Sequence, residues 1–327
     1  MSNQANTIAV NSFNENHNAY DTFRPDFGAK IVNPFLVELG LAKVDPDTDQ
    51  YSYDTDKVIL ELAAGTGKFT KRLVGSGWGD SIDKSNLIIV EPSKGMLESL
   101  RSNFPTINPA NIHNSSSYEI PVADNSVDAI IVAQGFHWFS DVASLKEMNR
   151  ILKPTGSLGL IWNGDYASTA QNTPVPNCQF INGGTAYFDA FVNPPQDVTA
   201  TTLFIDYFDK QPWSNKCCEY IYTFDEKVPQ YRKDDWKKVL VSKDNAYFTF
   251  PDKELYLLYD ISLDKNKVYE YWGTRSYITV LDEEERKTIK QTIDKIVADD
   301  TTPDSYNDKG YLIKPMITHA IALKAQK

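Results

Sequence analysis

Residues 57–75 contain the feature that most constrains the fold: an apolar run, a turn rich in small residues, and a helical pattern. The run ends at Leu62, the turn extends from Ala63 to Gly67, and apolar residues recur at helical spacing from Phe69. A strand that leads into a helix through glycines exposes backbone N–H groups and lets a ligand approach the main chain closely. The segment therefore predicts a βα unit with a ligand site at its turn.

The same βα pattern repeats through the first half of the chain. A second apolar run ends at Val90 and is followed by Ser93, which suits the N-cap of the next helix. A third run covers residues 127–133, and a helix predicted from Asp141 and ended by Pro154 precedes a further strand at 156–162. Alternating strands and helices of this kind predict an α/β fold with a doubly wound, mostly parallel sheet.

Beyond Asn163 the pattern gives way to a polar stretch that contains several prolines and helical fragments such as Asp234 to Val241. Order returns with a strand predicted at 254–262, a helix over 269–277, a long helix from Asp282 and a last strand at 317–323. We therefore expect four parts in the chain. They are an N-terminal tip and leader helix (1–50), a cofactor-binding βα core (51–163), an inserted cap region (164–252) and the C-terminal part of the sheet (253–327).

Charge and cysteine content restrict the class of protein. The chain has 327 residues with 33 Lys+Arg and 44 Asp+Glu, a net charge of −11. This acidic balance argues against nucleic acid as a partner, because such binding relies on Lys and Arg neutralising phosphates. We find no apolar run near the roughly 18 residues that span a bilayer, and the three cysteines do not suit a disulfide framework. We expect a cytoplasmic protein without a membrane anchor; its oligomeric state is left open.

The turn ELAAGTG fits neither of two common phosphate-binding motifs. Thr70 stands where a G-x-G-x-x-G fingerprint has its third glycine, and the P-loop spacing is absent. Two acidic residues remain, Glu61 before the turn and Glu91 at the end of the next strand. A carboxylate at the second position can accept both ribose hydroxyls of a nucleoside, and one beside the turn suits an ammonium-bearing or cationic ligand.

In these motifs the chain resembles the class I S-adenosylmethionine-dependent methyltransferases. ELAAGTG is similar to their acidic-x-Gly-x-Gly-x-Gly turn, with Ala63 at the first glycine position, and VEPSKGML is similar to their second motif. The resemblance implies a Rossmann-like methyltransferase fold with a seven-stranded sheet, S-adenosyl-L-methionine as cofactor and no metal. It assigns the methionine part to Glu61, Ala63, Gly65 and Gly67, the ribose to Glu91, the adenine to Met96, Ser117 and Tyr118, and the sulfonium side to Gln134.

Further motifs resemble one subgroup of that family, the fungal trans-aconitate methyltransferases and related small-molecule enzymes. They are AYDTFRPDF, AQGFHWFSD, EYWGTRSYITVLDEEER and the closing IKPMITHAIALKAQK. The resemblance implies O-methylation of a small organic acid. The lack of an evident base motif also favours a carboxylate, which is ionised at pH 7 and needs positioning instead of a base. The alternatives are a hydroxyl, nitrogen or carbon acceptor, a non-catalytic cofactor-binding regulator, and an NAD-dependent oxidoreductase, which Thr70 disfavours.

Several residues near the predicted cleft carry two interpretations each. His137, just past the end of a strand, is either a general base or a half-buried structural histidine. Arg24 and Arg275 either lie at the site, where they would reverse the negative potential for an anionic acceptor, or are solvated at the surface. Tyr20 is expected to close over the cofactor, and Arg24 to bind it. The aromatic residues that either wall the acceptor pocket or belong to the core are Trp138, Trp162, Tyr166 and Trp272.

Overall fold

The structure, a computed structural model, describes residues 22–165, 178–184, 188–193, 196–251 and 253–327. The helices are α1 (Ala29–Glu38), α2 (Thr70–Gly75), α3 (Lys94–Asn103), α4 (Val142–Ile151), α5 (Phe188–Val192), α6 (Ala200–Asp209), α7 (Pro212–Tyr222), α8 (Asp235–Val241), α9 (Val268–Gly273), α10 (Ser276–Thr279) and α11 (Glu283–Asp300). The strands are β1 (Ala42–Val44), β2 (Tyr51–Tyr53), β3 (Ile59–Leu62), β4 (Leu87–Val90), β5 (Ile112–His113), β6 (Val127–Ala133), β7 (Leu152–Gly164), β8 (Cys178–Ile181), β9 (Phe248–Thr249), β10 (Glu254–Leu263) and β11 (Leu312–Ala325).

The main sheet of the described chain has the strand order β5-β4-β3-β6-β7-β11-β10-β8, with β9 paired to β11. Strands β5, β4, β3, β6 and β7 are parallel to one another. Strand β11 is antiparallel to its neighbours β7 and β10, and β8 is parallel to β10. The sheet is therefore doubly wound and mostly parallel, which confirms the fold class predicted from the alternating βα units.

Short strands that the sequence did not predict extend the seven-stranded arrangement. Strand β8 lies in the proline-containing stretch, where no regular pattern was visible, and β9 has two residues. A separate two-stranded sheet joins β1 and β2. Short strands escape sequence analysis because two to four residues are too few to display a period.

Two element boundaries also differ from the prediction. Helix α4 ends at Ile151, and Pro154 lies within β7 instead of marking the end of the helix. The ladder between β6 and β7 is irregular there, which accommodates a residue that has no N–H to donate. The helix predicted over 269–277 is split into α9 and α10 after Gly273, and Arg275 has extended backbone at the N-cap of α10. This break brings Arg275 into the site described below.

Successive strand residues contribute to cores on opposite faces of the sheet. Ile59 packs in one core with α1, α2 and α3, whereas Leu60 packs in the other with α4 and α8. A third core joins α7, α9, α11 and β11. Burying one large apolar side chain stabilises a fold by about 1.5–3 kcal/mol, so these cores hold the strand ends in fixed positions. No helix in the described part of the chain has the length and apolar character needed to cross a membrane.

Candidate functional site

A cleft opens at the carboxyl ends of β3, β4, β6 and β7, the edge where open α/β sheets bind ligands. It encloses about 1250 Å³, the open solvent at its mouth included. The cleft has two ends, which we name by their residues. The turn end comprises the turn residues Ala63 to Thr66 with Glu91, Met96 and Ser117, and the charged end comprises Arg24, Asn163, Asp165, Tyr271 and Arg275.

The turn itself depends on left-handed backbone at Ala63, Gly65 and Gly67, whose φ angles are 56°, 61° and 93°. This conformation favours glycine because a Cβ strains it. A Cβ built on Gly67 would lie 2.4 Å from Cε2 of Phe104, whereas one on Gly65 would meet nothing within 4 Å. Gly67 therefore lets the turn pack on the end of α3, and Gly65 leaves open space on the cleft side.

Glu61 in β3 is a wholly buried carboxylate at the base of the turn. Its Oε2 accepts a hydrogen bond of 2.6 Å from Thr70 Oγ1, and its Oε1 has no partner among the described residues. Burial, offset in part by the Thr70 hydroxyl, raises the pKa of Glu61 to about 8. A positively charged group that satisfied Oε1 would favour the ionised form and bring that pKa down.

Glu91 ties the turn to the start of α3. Its Oε2 accepts from the backbone N–H of Gly65 at 2.9 Å, and its Oε1 accepts from the N–H of Ser93 at 2.8 Å. Burial raises the pKa of Glu91 to about 7 despite these two hydrogen bonds. Each carboxylate oxygen can accept a second hydrogen bond, so Glu91 can hold the turn and a ligand hydroxyl together.

Asp165 is the centre of the charged end. Its Oδ2 accepts from the Tyr271 hydroxyl at 3.0 Å and pairs with Arg275 Nη2, while Lys314 Nζ lies 3.7 Å away. The Tyr222 hydroxyl donates to Oδ1. Burial alone would raise the pKa of Asp165, but the charges of Arg275 and Lys314 outweigh it and hold that pKa well below its ordinary range. Asp165 is therefore ionised.

The charged end carries more positive than negative charge. Arg24 stands with its guanidinium 5.8 Å from the centre of the Tyr271 ring, close enough to act on the charge of Asp165. Three cations, Arg24, Arg275 and Lys314, thus surround one carboxylate. Lys68 also lines the cleft, but it is matched by Asp26 at 3.2 Å. A chain with a net charge of −11 therefore has a cationic patch at this end of its cleft.

Asn163 presents an oriented amide between the two ends. Its Oδ1 accepts from Thr318 Oγ1 at 2.6 Å and from the Tyr259 hydroxyl at 3.1 Å, and its Nδ2 donates to the Pro25 carbonyl at 3.3 Å. The side chain of Gln134 fixes the backbone of Asn163 through two reciprocal hydrogen bonds of 2.9 and 2.8 Å. An amide nitrogen carries two hydrogens, so Nδ2 keeps one for a ligand in the cleft.

Comparison with known proteins assigns the core to a family. The model of a family described as a methyltransferase domain matches residues 60–160. An uncharacterized methyltransferase-like protein of Schizosaccharomyces pombe is 36% identical over 159 residues, which cover 49% of this chain and 54% of that protein. Residues 60–160 match the model of a methyltransferase domain, in agreement with the family resemblance of the sequence motifs.

Other similarities to this methyltransferase domain extend over less of the chain or are weaker. An uncharacterized methyltransferase of Mycobacterium tuberculosis is 41% identical over 105 residues, covering 32% of this chain and 39% of that protein. A solved structure described as a putative type II methyltransferase from Anaeromyxobacter dehalogenans is 16% identical, with a TM-score of 0.48, and covers 94% of this chain and 98% of that one. The chain spans about half or less of the length of these two curated relatives.

The turn end of the methyltransferase domain fits its cofactor, S-adenosyl-L-methionine. The open acceptor on Glu61 Oε1 suits the ammonium of the methionine part, and the space beside Gly65 lets a ligand reach the main chain. Glu91 has lone pairs left for ribose hydroxyls, and Met96 and Ser117 line the wall beyond it. When bound there, the cofactor supplies a methyl group made electrophilic by a sulfonium.

Most residues that the sequence assigned to the cofactor do lie at the cleft. Three of the described ones do not line it: Glu61 is wholly buried, Gly67 faces Phe104, and Tyr118 donates its hydroxyl to Asp141 at 2.7 Å. Tyr20 lies outside the described residues. Those that line the cleft are Arg24, Ala63, Gly65, Glu91, Met96, Ser117 and Gln134, and Glu61 immediately precedes its wall. Their individual roles remain predictions.

The structure separates the residues assigned to the acceptor. Trp138 and Arg275 line the cleft. Trp162 is instead fully buried, with its ring centre 4.4 Å from that of Trp236, and Trp272 is fully buried beside Trp213. These two side chains belong to the core because the helices of the second half cover them, which the sequence did not reveal. Tyr166 lies outside the described residues.

His137 lines a smaller cavity next to the cleft, and the two share Gln134, Asn163, Asp165 and Arg275. Burial lowers the pKa of His137 to about 3, so its imidazole is neutral at pH 7. Its Nδ1 has no hydrogen-bond partner among the described residues. A base of such low pKa removes protons weakly, and the catalytic role assigned to His137 remains a prediction.

Sequence reasoning missed much of the charged end: Asn163, Asp165, Tyr222, Tyr271 and Lys314 were not singled out for it. Two signals were present. A polar run, Asn163 to Asp165, directly follows a strand of buried residues, as expected for side chains at the carboxyl edge of a sheet. Lys314 is a charged residue inside a strand segment whose other positions are mostly buried, which marks a paired or functional cation.

Proposed function

We propose that this chain transfers the methyl group of S-adenosylmethionine to the carboxylate of a small organic acid. The observation that carries the proposal is the cationic patch at the charged end, where Arg24, Arg275 and Lys314 surround Asp165. A cationic pocket in an acidic protein favours a small anion over a neutral or cationic acceptor. The fungal subgroup resemblance, with its implied acid acceptor, agrees with this charge.

Two donors suit the acceptor carboxylate. Arg275 Nε is buried and has no hydrogen-bond partner among the described residues, and Asn163 Nδ2 has one hydrogen left after its bond to Pro25. Hydrogen bonds from such groups to a carboxylate are strong and directional. Together they would hold one acceptor oxygen in line with the methyl group, and positioning of this kind is the main task in a direct displacement.

The protonation states at the charged end support an acceptor that is already ionised. The pKa of Asp165 is held low by its cations, and burial raises the pKa of Tyr271 well above its ordinary value. The neutral His137 lies in the adjoining cavity. None of these three is poised to remove a proton near pH 7. A carboxylic acid, with a pKa of about 4, needs no such base.

The proposal extends to the arrangement of the chain. Residues 164–252 would form a cap over the acceptor, since Tyr222 of α7 bonds to Asp165 and Phe204 of α6 lines the adjoining cavity. Residues 51–163 would hold the cofactor, and residues 253–327 would supply Tyr271 and Arg275. We place the protein in the cytoplasm, where free cysteines stay reduced, with a small molecule and not a nucleic acid as its partner.

Two measurements test the function. Calorimetric titration should detect S-adenosylmethionine binding, and its absence would remove any methyltransferase function. A panel of acids, phenols, amines and activated carbon acids is then incubated with methyl-labelled cofactor. A carboxylate acceptor yields a methyl ester, whose label is released as methanol by base. A product whose label resists base would show a hydroxyl, nitrogen or carbon acceptor, and cofactor binding without any product would favour a regulator.

His137→Ala separates the acceptor classes within the same assay. Ester formation should keep its rate in this variant, because no proton has to be removed. Methylation of a hydroxyl or carbon should fall steeply if His137 is the base. Loss of ester formation in a variant that still folds and binds cofactor would contradict this division.

A further inference from the structure

Lys314 is a wholly buried lysine one layer behind the cleft. Its Nζ lies 3.7 Å from Asp165 Oδ2 and donates to Ser214 Oγ at 3.1 Å and to the Asp165 carbonyl at 3.4 Å. The rings of Tyr271 and Trp272 flank the ammonium, with their centres 5.2 and 4.9 Å away. Lys314 does not line the cleft, so it acts on a ligand only through its charge and through Asp165.

A second cation on Asp165 is more than the pairing of one carboxylate requires. Arg275 already forms an ion pair with Asp165, and two tyrosine hydroxyls satisfy further lone pairs. Burying a charge is costly unless it is compensated. We therefore expect Lys314 to have a role beyond pairing with Asp165, and the balance of charges indicates which role. With Lys314 present, the negative charge of Asp165 is cancelled without using the charge of Arg275.

We propose that Lys314 is a specificity-determining residue that reserves Arg275 for an anionic acceptor by neutralising Asp165 from behind the cleft. The inference rests on the proposed acid acceptor and names the residue that makes the charged end select it. Without Lys314, the Asp165–Arg275 pair would be close to neutral and would leave no surplus positive charge to attract an anion.

The other acidic side chains near this cluster do not disturb the balance. Asp26 is bridged to Lys68 at 3.2 Å and to Lys71 at 2.9 Å. On the far side, Asp225 is wholly buried and carries its own two cations, Arg232 and Lys233.

The size of the effect follows from Coulomb's law. Removing a unit charge roughly 10 Å from a bound anion, in a partly screened interior, changes the affinity for that anion by about tenfold. The affinity for a neutral molecule of the same shape should change little. The ratio of acid to amide affinity therefore isolates the charge of Lys314, because a distorted pocket would weaken both ligands alike.

The experiment measures this ratio for the wild type and for Lys314→Met. Hexanoic acid and glutaric acid, each with its amide, are titrated into protein saturated with S-adenosylhomocysteine, so that no turnover is needed. Lys314→Gln is a second variant that keeps a donor for Ser214 while removing the charge, in case the methionine variant does not fold. Lys324→Met, on the same strand β11 about 33 Å further along, is the matched control.

The wild type and Lys324→Met should prefer the acids, and this preference should fall about tenfold in Lys314→Met or Lys314→Gln. An unchanged preference in a folded Lys314 variant overturns the inference while leaving the acid acceptor intact. A wild type that binds the amides as well as the acids refutes the acid acceptor itself, so the two failures are distinct.

Discussion

The two ends of the cleft contain buried carboxylates with opposite protonation behaviour. At the turn end, burial raises the pKa values of Glu61 and Glu91 to about 8 and about 7. At the charged end, the cations around Asp165 outweigh burial and lower its pKa. The difference lies in the partners, since Asp165 has cations from its own chain and the glutamates have neutral donors. The turn end is thus arranged to bind a positively charged group of a ligand. The charged end already contains more positive charge than is needed to neutralise Asp165.

This contrast gives the two ends of the cleft opposite preferences for the charge of a ligand. S-adenosylmethionine is cationic at its sulfonium and ammonium, and the acceptor proposed above is an anion. Complementary potentials orient ligands as well as attract them. A cofactor bound with its ammonium at Glu61 would direct the remainder of the molecule along the cleft, toward Asn163 and Arg275.

The largest effect should come from Gly67→Ala, which strains the backbone of the turn. Alanine at a left-handed position costs roughly 1–2 kcal/mol, and the overlap with Phe104 should add about 1–3 kcal/mol. We expect cofactor affinity to fall by at least about 30-fold. Calorimetry with S-adenosylmethionine and thermal unfolding measure the two consequences.

Gly65→Ala is the matched control for that change. Its backbone is also left-handed, but its Cβ would meet nothing within 4 Å, so only the conformational cost applies. Stability should fall by about 1 kcal/mol, less than in Gly67→Ala. If both variants lost equal stability, the contact with Phe104 would not be the reason for glycine at position 67.

The next largest effect should come from Arg275→Met at the charged end. Losing charge-assisted hydrogen bonds to the acceptor costs about 1.5–3 kcal/mol, which raises the acceptor KM by roughly 10- to 150-fold. The Kd of S-adenosylmethionine should stay within about twofold of the wild-type value, because Arg275 lies away from Glu61 and Glu91. Arg275→Lys keeps the charge and should lose less. A parallel loss of cofactor affinity would contradict the separation of the two ends.

The two ends also differ in how far they can be predicted from sequence. Ala63 to Gly67 and Glu91 lie within 29 residues and form one local motif, a strand, a turn and the next strand end. The charged end is assembled from residues between Arg24 and Lys314, brought together by long-range packing. Sequence pattern captures the first because local spacing determines it. Sequence pattern does not reveal the charged end, because the spacing of Asp165 and Lys314 along the chain gives no indication of their contact.

The same reasoning accounts for the fold. The parallel half of the sheet was predictable, since each βα unit repeats a pattern that neighbouring residues establish. The cap region was predicted only in part. The helical fragment at Asp234 to Val241 is found as α8, but the other helices of this region do not alternate with strands in a repeating pattern, and Trp236 of α8 packs on Trp162 of β7 without a shared motif. Arg275 was predicted as a site residue, but its helix break was not.

A smaller effect, and one specific to the turn end, is the pH dependence of cofactor affinity. A raised folded pKa means that free Glu61 is largely protonated below about pH 8, whereas a bound ammonium favours its ionised form. Binding should therefore release up to about one proton, and affinity should rise by up to about tenfold per pH unit between pH 6 and 8. Calorimetry in buffers of different ionisation enthalpy counts the protons.

The stability of the free protein should change in the opposite sense. An acid whose pKa is raised above 4.5 by folding stabilises the fold below that value and loses this contribution as pH rises through about 8. Glu61→Gln should flatten the pH profiles of both cofactor affinity and stability, whereas Glu98→Gln, on α3, should leave both profiles unchanged. Proton release that persisted in Glu61→Gln would point to Glu91 as the titrating group.

The smallest effect concerns Ala63, the one position where the turn departs from the pattern of the family it resembles. Its φ of 56° strains an alanine, and glycine there would relieve roughly 1 kcal/mol while losing part of that gain to backbone entropy. Ala63→Gly should therefore raise stability by up to about 0.5 kcal/mol and leave cofactor affinity within about twofold.

Ala64→Gly, at a neighbouring residue without positive φ, should instead destabilise by about 0.5–1 kcal/mol. Chemical denaturation of both variants measures whether each substitution raises or lowers the free energy of unfolding. Destabilisation by Ala63→Gly would show that the Ala63 methyl group, which lies against Gly135, contributes more by packing than it costs in strain.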